Sequence, residues 1–323
     1  MSLTVRPAVV PQDYAAIAAV LAAENPGYAE TAEELAYDDA SRDPTIHHAT
    51  LVAEMSDELA DRQTPLLVGV AFVEHDALAH QEGKFVINLR VQPDWQGHGV
   101  GKALYAALLA HLAPSTPHEL TAMVWHQHPR TPRFLTERGF VEAWRREDRV
   151  LDVTAFDFTP YTGLEERLAA QGITVKTYAD LAADPDRLTK LHELDWALWQ
   201  SVPYGQTVTK RSLTQFAAQE VDHPKFIADA CFIALRKDAW IGYSNLSATE
   251  GGFNTEMTGV LPAYRGQGVA TLLKLYGIRY TQAHGKRRLE TQNDAVNQAM
   301  IALNQKLGFV LEGANLRFVK QWG

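Results

Sequence analysis

Cysteine is nearly missing from this sequence of 323 residues, which contains only Cys231. A single cysteine closes no disulfide within the chain and builds no thiolate metal site, so we expect a reducing compartment, the cytoplasm. Cys231 lies in the apolar run 230–235, where a buried structural thiol is the expected role. The composition therefore excludes a disulfide-built scaffold and redox chemistry at cysteine pairs.

Long hydrophobic runs and an excess of positive charge are absent as well. No stretch reaches the roughly 18 apolar residues that a membrane-spanning helix needs, and residues 1–7 lack the basic and apolar regions of a signal peptide. The 30 Lys and Arg residues stand against 39 Asp and Glu, for a net charge of −9. We therefore expect neither membrane insertion nor secretion nor a nucleic-acid partner, and the charge favours a cationic small molecule.

What the sequence does contain is one internal repeat. A glycine-rich segment at 91–104 aligns with a second one at 260–273, and six of the 14 aligned positions are identical. A Gly-Phe pair follows each segment, beginning at Gly139 and at Gly308. Both landmarks recur at the same offset of 169 residues, which predicts the duplication of one domain.

Hydrophobic periodicity indicates the same order of elements in each repeat. A strand, a helical region and two apolar strands lead to a third strand, which runs directly into the glycine-rich segment. A helix follows the segment, at 100–112 or 269–283, and then another strand, a helix, Gly-Phe and a closing strand. The sequence thus predicts two domains of the α/β class (α+β, with a mixed sheet), bounded at 1–158 and 159–323.

A strand that ends in a glycine-rich turn and opens a helix presents free backbone N–H groups at the positive end of the helix dipole, which suits a phosphate. The spacing of the glycines distinguishes between the known types of phosphate-binding loop. Neither copy has the G-x-x-x-x-G-K-[ST] pattern of nucleoside-triphosphate loops, and both interrupt G-x-G-x-x-G at its sixth position. The pattern that remains is [QR]-x-x-G-x-[GA]. The alternative to phosphate binding is that these glycines only form a tight turn.

The pattern Val-x-Pro-x-[Trp/Tyr]-[Gln/Arg]-Gly-x-Gly-Val-[Gly/Ala], followed by Gly-Phe, resembles the GCN5-related N-acetyltransferase (GNAT) superfamily in both repeats. The resemblance covers nearly the whole chain. Its tandem arrangement is similar to that of mycothiol synthase and of bacterial double-GNAT proteins. It implies two tandem GNAT domains, an acetyltransferase activity, and acetyl-CoA or another acyl-CoA as cofactor.

The resemblance also implies where the cofactor is held. In the family, backbone amides of the loop bind the CoA diphosphate, and the strand before the loop parts from its neighbour and binds the pantetheine arm. In the second repeat the implied cofactor-binding residues are Thr258, Val260, Arg265, Gly266, Gln267, Gly268, Val269, Ala270, Thr271 and Asn297. In the first repeat they are Val91, Gln96, Gly97, Gly99, Gly101 and Lys102.

Direct acyl transfer to an amine needs a neutral amine, so a carboxylate or a chain of water molecules must take a proton, and we expect the candidates on the strand that feeds the loop. With a period of two, Glu256 shares a face with Thr258 and Val260, whereas the first repeat has apolar residues there. In many family members a glutamate on this strand is the base, so Glu256 is the candidate, and a solvent-facing glutamate is the alternative. The family's general-acid tyrosine is replaced by Leu135 and Asn304. Asn304 is our second catalytic candidate, through hydrogen bonds to the pantetheine arm or the thiol, with a capping amide as its alternative.

The first repeat lacks both the strand carboxylate and the tyrosine, so we expect it to keep the fold without catalysis. His126 and His128 have no third ligand nearby in the sequence, so we expect no metal site. For the acceptor, an aromatic-rich segment supplies the candidates Trp196, Trp199 and Tyr204. Core packing is the alternative role of the two tryptophans.

The sequence therefore predicts a cytoplasmic acetyltransferase whose second repeat moves an acetyl group from acetyl-CoA to a primary amine of a small molecule. Because no activated cysteine or serine is visible, we expect direct transfer in a ternary complex. Two alternatives stay open: mycothiol-synthase-like acetylation of an amino-sugar thiol conjugate, and a non-catalytic acyl-CoA sensor or scaffold. We expect a monomer or a homodimer.

Overall fold

The computed structural model of the chain describes residues 2–25, 30–56, 65–76, 79–125, 130–202 and 208–322. The chain divides into two units. Unit 1 comprises Met1–Trp144 together with Asn315–Gly323, and unit 2 comprises Arg145–Ala314. The last residues of the chain thus belong to the unit that contains the first ones.

The described residues form strands and helices in the order that the repeat predicts. The strands are β1 (Ser2–Pro7), β2 (His48–Ser56), β3 (Leu66–Glu74), β4 (Lys84–Val91), β5 (Glu119–Trp125), β6 (Val141–Asp152), β7 (Ile173–Thr177), β8 (Cys231–Arg236), β9 (Ala239–Thr249), β10 (Gly252–Val260), β11 (Arg288–Asp294) and β12 (Val310–Gln321). The helices are α1 (Tyr14–Glu24), α2 (Ala32–Ser41), α3 (Val100–Leu112), α4 (Arg130–Thr136), α5 (Leu164–Ala170), α6 (Arg187–Trp199), α7 (Leu213–Phe216), α8 (Val269–Ala283) and α9 (Gln298–Lys306). Within the described ranges, no helix is long and apolar enough to cross a membrane.

Unit 1 is built on a mixed sheet. Strands β1 to β5 lie side by side in chain order, and the second half of β12 pairs with β5. Neighbours from β1 to β4 are antiparallel, whereas β4 and β5 are parallel and are connected through α3. Helix α3 buries Val100, Leu104 and Leu108 at helical spacing, so one face of the helix packs into the core.

Unit 2 repeats this arrangement. Its sheet has the order β7, β8, β9, β10, β11 and the second half of β6, and only β10 and β11 are parallel among the recorded pairs. Helix α8 buries Leu272 and Ile278 against Val260 on one face. Helix α6 packs Leu194 against Tyr243 on the other face. The predicted α/β class with a mixed sheet is therefore confirmed in both units.

Cys231 is completely buried in the core beneath α6. Its neighbours in β8 alternate between the two cores of unit 2, because successive side chains of a strand point to opposite faces. Burial raises the pKa of the thiol, so it stays protonated and unreactive near neutral pH. The buried structural position predicted for this cysteine is confirmed.

The closing strands are exchanged between the repeats. Strand β6 belongs to the first repeat in sequence, yet its residues 146–152 pair antiparallel with β11 in unit 2. Strand β12 belongs to the second repeat, yet its residues 315–321 pair antiparallel with β5 in unit 1. Each unit therefore contains a closing strand from the other repeat. The predicted boundary between residues 158 and 159 refers to the duplicated sequence and stays a prediction.

Candidate active site

Strands β10 and β11 separate halfway along β10. They pair over Gly252–Thr255 and Arg288–Thr291. Beyond Thr255, β10 continues to pair with β9 as far as Val260, while β11 continues to pair with β6. The edge of β10 that faced β11 thus has no strand partner over 256–260 in the described chain. The parting of strands that the family resemblance implies is confirmed, and β4 and β5 separate in the same way in unit 1.

The glycine-rich loop joins the open end of β10 to α8. Gly266 and Gly268 have φ angles of +75° and +97°, which favour glycine, and α8 begins directly after Gly268. The N–H groups of its first turn have no partner within the helix and lie at the positive end of the dipole. Nε of Arg265 donates to the carbonyl oxygen of Val260 at 2.9 Å. This side chain therefore braces the loop against the strand.

The first repeat builds the same loop. Gly97 and Gly99 have φ angles of +83° and +88°. Nε2 of Gln96 donates to the carbonyl oxygen of Val91 at 3.2 Å, which reproduces the brace of Arg265 at the equivalent position. The loop conformation is therefore a property of both repeats, whether or not both bind a cofactor.

A cavity of about 890 Å³ lies beside the second loop, with all of its lining residues in unit 2. Every cofactor-binding residue predicted in the second repeat lines this cavity, from Thr258 on β10 through the loop to Thr271 on α8 and Asn297 before α9. The other walls come from the end of α6, from α9, and from the segment that precedes β7. The structure thus brings the predicted residues together, and their contacts with a cofactor stay predictions.

The first repeat has a larger side chain at one position that lines the cavity in the second repeat. Phe134 in unit 1 occupies the position of Leu303, which lines the cavity in unit 2. A Cβ atom on Gly101 would stand 3.8 Å from the Phe134 ring. Lys102 is exposed on the first turn of α3. A larger side chain thus lies beside the loop of the repeat that we expect to be inactive.

The two asparagines predicted near the cofactor have different surroundings. Asn297 lines the cavity, and its Oδ1 accepts a hydrogen bond from the backbone N–H of Met300 at 3.3 Å, as the N-cap of α9. Asn304 is fully buried, and its Nδ2 donates to Oδ1 of Asn293 on β11. Asn304 is not among the described residues that line the cavity. Its contact with a pantetheine arm stays a prediction.

A β-bulge displaces Glu256 from the predicted face of β10. Thr255 pairs with Leu246 and Met257 pairs with Asn245, which leaves Glu256 as the extra residue. The alternation of side chains shifts at that point, so Glu256 does not share the face of Thr258 and Val260. The expected common face is therefore wrong, and the bulge directs this carboxylate toward the α6 side of the sheet.

Two neighbours hold the carboxylate of Glu256 in place. Oε1 accepts a hydrogen bond from Nδ2 of Asn254 at 2.9 Å and another from the hydroxyl of Ser247. Asn254 is buried and Ser247 lies opposite it on β9, whereas Glu256 itself is exposed. The next residue, Met257, lines the cavity. Glu256 is therefore accessible and oriented, but it is not among the described residues that line the cavity, and its role as a general base stays a prediction.

An acidic network, formed by Asp195, Arg211, Glu220 and Tyr243, lies on the same side of the sheet. The Tyr243 hydroxyl donates to Oδ1 of Asp195 at 2.6 Å. Nη1 of Arg211 lies 2.8 Å from Oε1 of Glu220, and Nη2 lies 3.4 Å from Oδ2 of Asp195. Burial raises the pKa of Asp195 and of Glu220 although Arg211 opposes it, and the negative charge of Glu256 adds to the rise at Glu220.

One guanidinium thus serves two carboxylates in this network, and the nearby Glu256 adds a third negative group. Such surroundings favour a cationic group over an anion on the α6 side. The sequence analysis did not identify Arg211, Glu220 and Tyr243. Glu220 stands on the π-helical turn Ala217–Val221, which no pattern in the sequence indicates.

The predicted acceptor residues are only partly described. Trp196 and Trp199 are half-buried on α6, and neither is among the described residues that line the cavity, to which α6 contributes Leu198. Tyr204 lies outside the described residues, as do His126 and His128. The role of the aromatic segment at the acceptor stays a prediction.

The residues at the cavity fit an acyl-CoA. The loop offers first-turn amides for a diphosphate, and Gly268 leaves the approach to it free of a Cβ atom. The open edge of β10 offers backbone groups to an amide-containing arm. An open strand edge and a helix N-terminus at one cavity are what the resemblance to CoA-dependent acyltransferases implies.

Comparison with known proteins identifies the family. The Acetyltransferase (GNAT) family matches the chain twice, at residues 17–140 and 188–309. The chain belongs to this family, it is a tandem GNAT protein, and it is an acetyltransferase. The recognition made from the glycine-rich segments and their Gly-Phe pairs is confirmed in both repeats.

Two named relatives match most of the chain, and two solved structures match nearly all of it. The chain is 27% identical to the mycothiol acetyltransferase of Streptomyces scabiei over 233 residues, which are 71% of this chain and 70% of the relative. It is 27% identical to the mycothiol acetyltransferase of Streptomyces avermitilis over 239 residues, with the same coverage of 71% and 70%. A tandem GNAT protein from the clavulanic acid biosynthesis pathway superposes with a TM-score of 0.72 at 20% identity, covering 100% of this chain and 99% of that one. A GCN5-related N-acetyltransferase from Sphaerobacter thermophilus gives 0.64 at 18% identity, covering 99% and 95%.

Proposed function

We propose that unit 2 transfers an acetyl group from acetyl-CoA to a primary amine of a small molecule, directly and within a ternary complex. The observation that carries the proposal is the meeting of two features at one cavity, with a third beside one of its lining residues, Met257. These are the glycine-rich loop before α8, the open edge of β10 and the carboxylate of Glu256 on its bulge. Thr258 of β10 and Thr271 of α8, both predicted to bind the cofactor, line the same cavity.

Acetyl-CoA, when bound, supplies a thioester from which the acetyl group passes to the amine nitrogen while the CoA thiol leaves. The chain binds and orients the reactants. First-turn amides of α8 hold the diphosphate, and Arg265 keeps the loop in shape through Val260. Glu256 accepts a proton from the acceptor ammonium, which leaves the amine neutral and nucleophilic. The acidic network holds a second positive group of the acceptor or the ammonium itself before it is deprotonated.

Initial-rate kinetics test the proposal. CoA release is measured over a matrix of acetyl-CoA and amine concentrations, with mono-, di- and polyamines and amino sugars as acceptors. Direct transfer predicts intersecting double-reciprocal lines and no CoA release without an amine. Parallel lines would indicate an acetylated enzyme, and the absence of turnover with every amine, despite binding of acetyl-CoA, would favour the sensor or scaffold.

A matched pair of loop variants assigns the reaction to one unit. Thr271→Glu places a negative charge on the first turn of α8, and Lys102→Glu does the same at the equivalent position of α3. We expect wild type to bind one equivalent of acetyl-CoA in a calorimetric titration, and only Thr271→Glu to abolish binding. Loss through Lys102→Glu, or two equivalents in wild type, would move the active site to the first repeat.

A second candidate function is the acetylation of the amine precursor of mycothiol. The observation that favours it is the similarity to two enzymes named mycothiol acetyltransferase, which extends over 71% of the chain. The mycothiol precursor that lacks the acetyl group is therefore included in the amine panel. A kcat/KM for this thiol-containing amino-sugar conjugate that exceeds those of simple amines would select this function.

The remaining expectations accompany this proposal. We expect the protein to be located in the cytoplasm, because its single buried cysteine needs no oxidising environment. A small-molecule amine is the expected partner, without nucleic acid or membrane, and the protein is expected to act as a monomer or a homodimer. Size-exclusion chromatography with light scattering, with and without acetyl-CoA, tests the last of these.

A further inference from the structure

The segment before β7 lines the cavity, although it precedes the first strand of the second repeat. Its lining residues are Pro160, Tyr161, Thr162, Gly163, Leu164 and Arg167. The hydroxyl of Tyr161 donates to the carbonyl oxygen of Lys306 at the end of α9, at 3.0 Å. Glu165 accepts hydrogen bonds from Tyr276 and from Arg279 of α8, the latter at 3.1 Å. The segment is thus hydrogen-bonded to two helices that line the cavity, α8 and α9.

Arg167 is the cation of this segment, and it contacts the glycine-rich loop directly. Its Nη2 donates to the carbonyl oxygen of Gln267 at 3.2 Å. A Cβ atom on Gly268 would stand 3.2 Å from the same nitrogen and 3.0 Å from Leu164. The glycine therefore serves two purposes, because it adopts a positive φ and lets the guanidinium approach the start of α8.

The charge of Arg167 is not balanced within the described part of the chain. No carboxylate of the described residues forms an ion pair with it, whereas Arg279 on the neighbouring helix is paired with Glu165 at 3.1 Å. Its guanidinium also lies at the positive end of the α8 dipole, where a cation is unfavourable and an anion is favoured. An exposed arginine on a cavity wall, beside free helix amides, is the arrangement that binds a phosphate.

We propose that Arg167 binds the diphosphate of the acyl-CoA, so that the segment 160–167 completes the cofactor site. The inference rests on the proposed function, because it takes acyl-CoA as the ligand of the cavity. The amides of α8 and the guanidinium of Arg167 approach the diphosphate from two sides. The cofactor site of the second repeat therefore includes a residue that lies before its first strand.

Truncated cofactors test which group Arg167 contacts. Dissociation constants are measured by calorimetry for acetyl-CoA and for its 3′-dephospho form, which keeps the diphosphate. S-acetylpantetheine, which has neither phosphate group, is measured by competition. We expect Arg167→Ala to weaken binding of the first two ligands about ten-fold or more, because a charge-assisted bidentate contact is lost, and to leave S-acetylpantetheine unaffected. Arg167→Lys retains the charge without the fork and is expected to fall between wild type and Arg167→Ala.

The first repeat offers the matched control. A Cβ atom on Gly97, which aligns with Gly266, would stand 3.3 Å from Nη1 of Arg130, so Arg130 is a cation beside the first loop. Arg130→Ala is expected to leave every dissociation constant unchanged. The salt dependence of acetyl-CoA binding should also become shallower in Arg167→Ala and not in Arg130→Ala.

Each other outcome overturns the inference. An equal loss for all three ligands would mean that Arg167 acts only on the structure, and thermal unfolding of the free variants checks this independently. A loss confined to ligands with the 3′-phosphate would place Arg167 at that group instead. If Arg167→Ala binds all three ligands like wild type, Arg167 is not part of the cofactor site. If this variant still transfers acetyl groups, the proposed function is unaffected. Failure of wild type to bind acetyl-CoA would reject the proposed function itself.

Discussion

The carboxylate of Glu256 is oriented by two hydrogen bonds and stands on a bulge beside the cavity. If it accepts the proton of the acceptor ammonium, Glu256→Gln keeps the shape and removes the base. We expect kcat to fall about 10²- to 10⁴-fold, while the dissociation constant of acetyl-CoA is unchanged because the loop is untouched. Steady-state kinetics and calorimetry measure the two quantities.

Glu250 provides the control for this substitution. It is an exposed glutamate in the turn between β9 and β10, and unlike Glu256 it is not adjacent in the chain to a residue that lines the cavity. Glu250→Gln is expected to have the activity of wild type. An unchanged kcat in Glu256→Gln would reject Glu256 as the base and direct attention to the carboxylates of the acidic network.

Lys274 is a fully buried lysine on α8. Its Nζ lies 3.5 Å from the hydroxyl of Thr291 and 5.2 Å from the ring centre of Phe309, and burial lowers its pKa from 10.5 to about 7. Between these two pH values the unfolded chain binds a proton that the folded chain does not. The free energy of unfolding therefore rises with pH across this window, by up to about 1.4 kcal/mol per pH unit.

Replacing Lys274 by methionine removes this linkage. We expect Lys274→Met to be more stable than wild type near pH 7, with a gain that shrinks as the pH approaches 10. Urea unfolding at a series of pH values measures it. Lys286→Met, at an exposed lysine of the same unit, should follow the wild-type curve. A pH dependence that survives in Lys274→Met would show that another group causes it.

At the scale of elements, the short parallel pairing of β10 with β11 sets where the two strands part. A Cβ atom on Gly252 would stand 1.8 Å from the carbonyl oxygen of Arg288, whereas one on Gly251 would make an ordinary contact at 3.6 Å. We expect Gly252→Ala to lower the free energy of unfolding by about 1–3 kcal/mol and to weaken acetyl-CoA binding. Chemical unfolding and calorimetry test this.

The neighbouring variant Gly251→Ala should match wild type in both measurements, since its new methyl group meets only the flexible side chain of Arg288. Equal effects of the two substitutions would mean that the close approach of β11 at Gly252 does not determine the position of the strands.

Elements that depend on local sequence were predictable. The glycine-rich loops and the helices 100–112 and 269–283 have the predicted positions. Glycine residues indicate positive φ angles, and the spacing of apolar residues indicates a helix, so both can be recognised from the local sequence. The bulge at Glu256 was not predictable, because the run 254–260 reads as a regular strand and only its register with β9 shows the extra residue.

The same distinction applies to the site. The loop side of the cavity follows from one contiguous segment, whereas the acidic network joins Asp195, Arg211, Glu220 and Tyr243, which meet only through tertiary packing. Arg167 was missed for a similar reason. It belongs to a polar segment before β7 whose sequence carries no phosphate-binding pattern, and only its contact with Gln267 identifies it.

At the scale of the whole molecule, the exchange of closing strands makes each repeat depend on the other. A fragment 159–323 lacks residues 146–152 and exposes the edge of β11, while a fragment 1–158 lacks residues 315–321 and exposes the edge of β5. Unpaired sheet edges leave backbone groups without partners and favour aggregation. The repeats of the sequence are therefore not expected to be independent folding units.

Fragment complementation tests this dependence. We expect neither 1–158 nor 159–323 to unfold cooperatively when expressed alone, and we expect the two to copurify when expressed together, because each then supplies the missing strand of the other. Every described residue that lines the cavity lies in 160–306, so the isolated fragment 159–323 lacks only the pairing of β11 with β6. Fragment 1–158 restores this pairing, so we expect the reconstituted pair to bind acetyl-CoA with the affinity of the intact chain. A lone 159–323 fragment that unfolds cooperatively and binds acetyl-CoA as tightly as the intact chain would show that the strand from the first repeat is dispensable.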